Sequence, residues 1–226
     1  MVYFMNRDII TFDPKEHKYW NQNNIEYVPV TILLNAIFPF DRVEIAEKVT
    51  KIGSSKYYGR SIDRILSLWD NTSIHGKTIH TMVENYIKNH TYPTDNSLIP
   101  LLEQFKLLNF SGSLLSEVLV WDERYRIAGT VDILECCDKY IYLWDIKTSS
   151  HIDDDKLMKF SMQLEIYKRI VEHHFNTPVK IGGILWFEDY VMKRKRAKMK
   201  VLRTLHCVDS VNEILLKRER EIICQK

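Results

Sequence analysis

A mixed α/β architecture, a central sheet flanked by helices, is what the sequence predicts, and three observations predict it. Three runs rich in Val, Ile, Tyr and Trp (LLSEVLVW, RIAGTVDILEC, KYIYLWDIKTS) are separated by short polar turns, the pattern of a three-stranded antiparallel meander. Helical periodicity brackets that meander, in IHGKTIHTMVENYIKNH before it and KLMKFSMQLEIYKRIVEHHF after it. A further strand, KIGGILWFE, follows the second helix. The order helix, three strands, helix, strand places helices on the faces of one sheet.

Taken from the start, the first ~30 residues alternate short apolar patches with turn formers, which predicts a small β-hairpin ending near Tyr27 and Val28. Pro29 and Thr31 lead into ILLNAIF, a short helix stopped at Pro39, and further helices are expected over Val43 to Lys51 and Ser55 to Trp69. With 226 residues, 45% of them hydrophobic, and no linker-like stretch or repeat, one domain is expected. It divides into an N-terminal hairpin and helices (1–70), a core (75–190) and a basic C-terminal extension (191–226). No stretch approaches the ~18 apolar residues of a membrane span, and the N-terminus is broken by charges, so an intracellular protein without a signal peptide is expected. Cys136, Cys137, Cys207 and Cys224 include no CxxC spacing, which excludes a four-cysteine metal site.

Net charge is +2, but its distribution is uneven: Lys193 to Arg203 (KRKRAKMKVLR) carries seven positive charges and no negative one. Such a block on an acidic remainder is the pattern of a phosphate-contacting element, and equally of a solvated hairpin or a targeting signal.

The chemistry lies in the meander. If its second turn falls at Asp138 and Lys139, Cys137 pairs with Tyr140, and the same register sets Asp132 opposite Asp145. Directly opposed residues have Cβ atoms about 4.5–5.5 Å apart. Lys147 shares that face through the period of two, with Leu134, Ile141 and Leu143, while Val131, Ile133, Tyr142 and Trp144 take the other. Two aspartates at the end of an apolar face repel each other, and a divalent cation is the economical compensation. Gly129 would let a phosphate or a metal-bound water come close to the strand end. On the preceding helix His80 sits at the edge of the apolar stripe with Glu84 one turn on, a place where a packed histidine is commoner than a ligand.

In order along the chain, Gly76 to His80 (G-x-x-x-H), Gly129 to Asp132 (G-x-x-D), Asp145-Ile146-Lys147 (D-x-K) and Gln163 to Tyr167 (Q-x-x-x-Y) resemble the PD-(D/E)xK nuclease superfamily, specifically its RecB-like exonuclease branch. Glu117 stands where an acidic residue often opens the meander in that family. The resemblance covers about residues 75 to 190, and it implies a restriction-endonuclease-like core. It further implies that His80, Asp132, Asp145 and the main-chain carbonyl of Ile146 bind Mg²⁺ or Mn²⁺, and that Asp132, Asp145 and Lys147 are catalytic, Lys147 positioning the attacking water. Gln163 and Tyr167 would hold the DNA backbone or brace the site, Lys193, Arg194, Lys195 and Arg196 would contact phosphates, and Glu117 and Glu84 rank as secondary candidates. The activity implied is metal-dependent hydrolysis of DNA, single-stranded or with free ends, as in recombination and repair. The alternatives are a cap-snatching type of RNA endonuclease, and a catalytically silent DNA-binding module with the same fold.

Overall fold

The computed structural model describes residues 10–13, 16, 18–188 and 198–224. Eight strands and six helices follow one another: β1 (Ile10–Asp13), β2 (Lys18–Asn21), β3 (Glu26–Pro29), α1 (Val30–Asn35), α2 (Arg42–Lys51), α3 (Ile62–Asn89), α4 (Ile99–Lys106), β4 (Ser113–Asp122), β5 (Ile127–Cys136), β6 (Ile141–Lys147), α5 (Asp154–Phe175), β7 (Val179–Glu188), β8 (Lys198–Leu202) and α6 (Val208–Cys224). All the described strands join one mixed sheet, in the order β1-β2-β3-β5-β6-β7-β8 with β4 on the other edge of β5. Val30 and Leu34 of α1, Leu164 and Val171 of α5 and Val211 and Leu215 of α6 pack on one face. Ile79 and Val83 of α3 and Leu101, Leu102 and Phe105 of α4 cover the other. Both faces of the central strands are thereby removed from water, which matches their near-continuous apolar runs.

The expected register holds: Cys136 pairs with Ile141, Leu134 with Leu143 and Ile133 with Trp144. There the ladder stops. β6 leaves β5 after Trp144 and continues alongside β7, with which Asp145, Ile146 and Lys147 are paired in parallel. The same edge of β5 is taken up at Ile127 and Ala128 by β3, also in parallel. Between those two pairings β5 carries no ladder on this edge, and Asp132 lies in the gap.

Several elements depart from the sequence reading. The N-terminal hairpin is three strands, β1 to β3, and it belongs to the main sheet through β3. The helices expected separately over Ser55 to Trp69 and around His80 are one 28-residue helix, α3, starting at the Ser61 N-cap and ending at His90, whose φ of 51° closes it in the left-handed region. Gly76 lies within it because a Cβ there would press on the Thr148 hydroxyl, so the glycine sets the approach of α3 to the end of β6 rather than breaking the helix. α4 and α6 were not anticipated; α6 replaces part of the basic extension and buries Val211, Leu215 and Ile222 along one stripe. Val131 does not share a face with Ile133. It packs with Leu134 and Leu143 beneath α5, while Ile133 packs against α3 and α4, so alternation along β5 is interrupted at Asp132. Among the described residues no helix is long and apolar enough to cross a membrane.

In β7 the register with β6 shifts by one residue, Leu143 pairing with Ile181 and Trp144 with Gly183, so that Gly182 is the extra residue of a bulge. The Trp144 ring lies on Gly182 where a Cβ would be, and its indole N–H donates to the buried Glu135 carboxylate at 3.0 Å. Gly182→Ala must therefore displace a ring tethered through the nitrogen next to the atom the new Cβ would strike. The expected loss is about 1–3 kcal/mol of unfolding free energy with an unchanged denaturant slope; urea unfolding checks it, and a variant as stable as the parent would show that the indole has room to move.

Candidate metal centre at the fork between two strands

The fork between β5 and β6 gathers the reactive side chains. With no partner on the β5 edge beyond Trp144, the Ile146 N–H turns to the Asp132 side chain, donating to Oδ2 at 2.6 Å. Asp132 thus replaces a lost backbone acceptor and is fixed by it. Across the fork Asp145 is 3% exposed, and Lys147 Nζ donates to its Oδ1 at 2.9 Å. Lys147 also reaches Gln163 Oε1 at 3.4 Å and lies 4.7 Å from the centre of the Phe160 ring, both on α5. The second oxygen, Asp145 Oδ2, is 2.8 Å from the same ammonium, but the angles there do not make a hydrogen bond, so this buried oxygen has no hydrogen-bond donor. The ammonium compensates the charge of this oxygen without donating a hydrogen bond to it, which leaves its lone pairs open to a further cation.

From α3, His80 Nδ1 lies 3.5 Å from Asp132 Oδ1 and 3.8 Å from Glu117 Oε1. At these separations the contacts are electrostatic rather than hydrogen bonds. Glu117 reaches the cluster from β4 by an unusual backbone. β4 pairs with β5 in one constant register that brings Glu117 opposite Asp132, yet that pair is missing from the ladder and Glu117 has φ 52°. A non-glycine residue in the left-handed region costs of order 1–3 kcal/mol and clusters at functional sites. His80, Glu117 and Asp132 each offer a ligand atom within 4.8 Å of the others.

The charges are interdependent. Burial opposes the charge on His80, but Asp132 and Glu117 outweigh it and lift the imidazole to about 10. Burial likewise pushes Asp132 up, and the His80 cation, Lys147 and the Ile146 N–H overcome it, holding the carboxyl below its ordinary value. Asp145 goes the other way: burial and the neighbouring Asp132 charge exceed the pull of Lys147 and raise it to about 6. Without a metal, the protonated His80 serves as the counter-cation of the cluster.

The donor set fits a divalent metal: two carboxylates and an imidazole already within reach of one another, and beside them a buried carboxylate oxygen without a donor. Oxygen donors suit Mg²⁺, and the imidazole is compatible with Mn²⁺.

The structure thus gathers His80, Asp132, Asp145, Ile146, Lys147 and Gln163, as the sequence suggested, and adds Glu117 as a full member. The sequence ranks Glu117 only as a secondary candidate; the constant β4–β5 register is what sets it opposite Asp132. Glu84 lines the cleft with His80 and Glu117 but is tied to Lys88 at 2.5 Å, one turn along α3. Tyr167 is 3% exposed, and its ring occupies the space where a Cβ of Gly129 would stand. That overturns the expected use of Gly129: the glycine admits the tyrosine, not a phosphate. Burial keeps the Tyr167 phenol protonated beside Gln163 and close to both aspartates, so this ring can brace the site but not touch a substrate. Lys193, Arg194, Lys195 and Arg196 lie outside the described residues.

No family model matches this chain, and no curated protein does. Among solved structures, a protein named SSO0001 is similar with a TM-score of 0.43 and 17% identity over 88% of this chain and 76% of its own. A protein of Eubacterium rectale, titled "Putative exonuclease", gives a TM-score of 0.40 and 12% identity over 87% and 78%. At these scores neither likeness assigns a function, which has to come from the site itself.

A metal binding here must displace the proton from His80, because that group titrates at about 10 and not near 6.5. Between about pH 7 and pH 9 the apparent Mn²⁺ affinity should therefore rise close to ten-fold per pH unit, with one proton released per ion. Calorimetric titration at several pH values, in buffers of different ionisation enthalpy, reads both; a flat profile would place the ion away from His80.

Proposed function

We propose that this chain is a metal-dependent DNA nuclease of the PD-(D/E)xK type, RecB-like branch, that hydrolyses phosphodiesters of single-stranded or end-containing DNA. The observation that carries the reading is the joining of four elements at one fork: the Asp132 and Asp145 carboxylates, Glu117 and His80 as further donors, and Lys147 beside them on the same strand end. A silent binding module needs no buried carboxylates with an unmet oxygen, nor a strained Glu117. Gln163 and Tyr167, which brace Lys147 and Gly129, supply the remaining motif of the family.

In this reading Asp132, Asp145, Glu117, His80 and the Ile146 carbonyl hold Mg²⁺ or Mn²⁺. When bound, such an ion lowers the pKa of water and offsets charge developing on the phosphate. Lys147 Nζ, kept in place by Asp145 and Gln163, donates a hydrogen bond to the attacking water and orients it towards phosphorus. Asp132, anchored by the Ile146 N–H, keeps its second oxygen directed to the cluster. Burial by Tyr167, Ile146 and Phe160 limits the access of other water, which strengthens each of these electrostatic contacts.

End-labelled single-stranded DNA and RNA, incubated with Mg²⁺, Mn²⁺ or EDTA, test the proposal. DNA should be cleaved with either metal and left intact in EDTA, and linear strands should be degraded faster than circular ones. Lys147→Ala should lower turnover by at least about a hundred-fold, while its affinity for DNA in EDTA stays near that of the parent. Hydrolysis that persists after metal stripping, or an unimpaired Lys147→Ala, would refute it.

A further inference from the structure

A second cleft opens beside the acidic one, along the same helix. We infer that it is a nucleotide subsite, in which an unpaired base of single-stranded nucleic acid stacks on Trp69 and Phe40 while neighbouring phosphates meet Lys56 and Lys156; the inference rests on the nuclease reading and names how that nuclease grips its strand.

The cleft holds about 560 Å³ and is walled by α2, α3 and the segment after β6. Trp69 is its centre. The Trp69 ring lies 5.9 Å from Phe40 at 43° and 6.1 Å from Tyr57 at 84°, and its indole N–H donates to the Tyr57 hydroxyl at 3.1 Å, which fixes the plane of the indole. Phe40 is 55% exposed. An exposed ring beside an oriented one is a platform that accepts any base, since every base offers a π-face.

The charge is complementary to a phosphate chain. Lys56 lies 4.9 Å from the centre of the Tyr57 ring, and Lys156 donates to the His151 carbonyl at 3.1 Å. Among the described residues neither lysine has an ion-pair partner. Arg42, also in the wall, is by contrast committed to Asp70 at 2.6 Å. Two ammonium groups without a carboxylate partner and the aromatic platform together are the features of a single-strand track; a protein ligand would gain little from such lysines beside a flat ring.

Its place joins it to the acidic cluster. Ser73 lines both clefts. Positions 69, 73, 76 and 80 follow helical spacing, so Trp69 and His80 share one face of α3, about 16 Å apart along its axis. The opposite wall continues too, with Thr148 in the acidic cleft and Ser149 and Ser150 in the aromatic one, directly after Lys147. A strand with a phosphate at the fork, extended along α3, reaches Trp69 after a few nucleotides.

Binding measured in EDTA separates this subsite from the chemistry. The probes are an oligothymidylate of about ten nucleotides and an abasic strand of the same length. Phe40→Ala, which removes an exposed ring and leaves the core intact, and Trp69→Ala should each weaken thymidylate binding roughly ten-fold and change abasic binding little, while Trp69→Phe retains most of the affinity. Lys156→Gln should flatten the dependence of log affinity on log salt by about 0.7 for both strands. If Phe40→Ala and Trp69→Ala bind both strands as the parent does, or if the parent binds no thymidylate, the subsite is overturned even where metal-dependent cleavage is seen. Base-dependent loss of binding in a protein that cleaves nothing would instead sustain the subsite and overturn the nuclease reading.

Discussion

Two carboxylates on neighbouring strands, Asp145 buried and Asp132 partly so, are the constraint around which this molecule is arranged. Left alone in a low-dielectric interior they would repel each other and lose their hydration, a cost of several kcal/mol for each charge. The structure meets it from both sides of the sheet: α3 brings His80 to Asp132, and β6 itself brings Lys147 to Asp145. The opening of the ladder after Trp144 is part of the same solution, since it frees the Ile146 N–H to bind Asp132. β3, by pairing with the start of β5 beyond the gap, keeps the opening short.

The compensation is incomplete in one respect. Asp145 Oδ2 is buried without a hydrogen-bond donor, and Asp145 holds its proton up to about pH 6. Glu117 is held at a positive φ to add a further carboxylate to a cluster that already has two. A cation would offer the Asp145 oxygen a ligand bond and offset the charge that Glu117 adds.

Much of this was legible in the sequence, because strand register is dictated by turn position and a period of two. The turn at Asp138 and Lys139 dictates the pairing from Cys136 with Ile141 as far as Ile133 with Trp144, but the expected direct pair of Asp132 with Asp145 is not made, because β6 has by then left β5 for β7. What could not be read was where the period fails. Val131 packs beneath α5 and not with Ile133, Gly182 inserts a bulge under Trp144, and Glu117 turns its backbone over; each depends on contacts between strands and helices remote in sequence. Glycines misled for the same reason, since Gly129 proved to be the seat of Tyr167 and Gly76 a point of close approach for Thr148. The fusion of two expected helices into α3 puts Trp69 and His80 on one face of a single helix.

The central claim is that the fork holds a divalent cation between the acids of β4, β5 and β6 and the histidine of α3. Anomalous diffraction at the manganese edge, from crystals of this protein grown with Mn²⁺, tests it most directly. The account predicts a peak in contact with His80, Glu117, Asp132 and Asp145, with the imidazole ring no longer serving as an ion-pair partner. It would be contradicted by density in which His80 still contacts Asp132, Lys147 still meets Asp145, and no manganese lies between them.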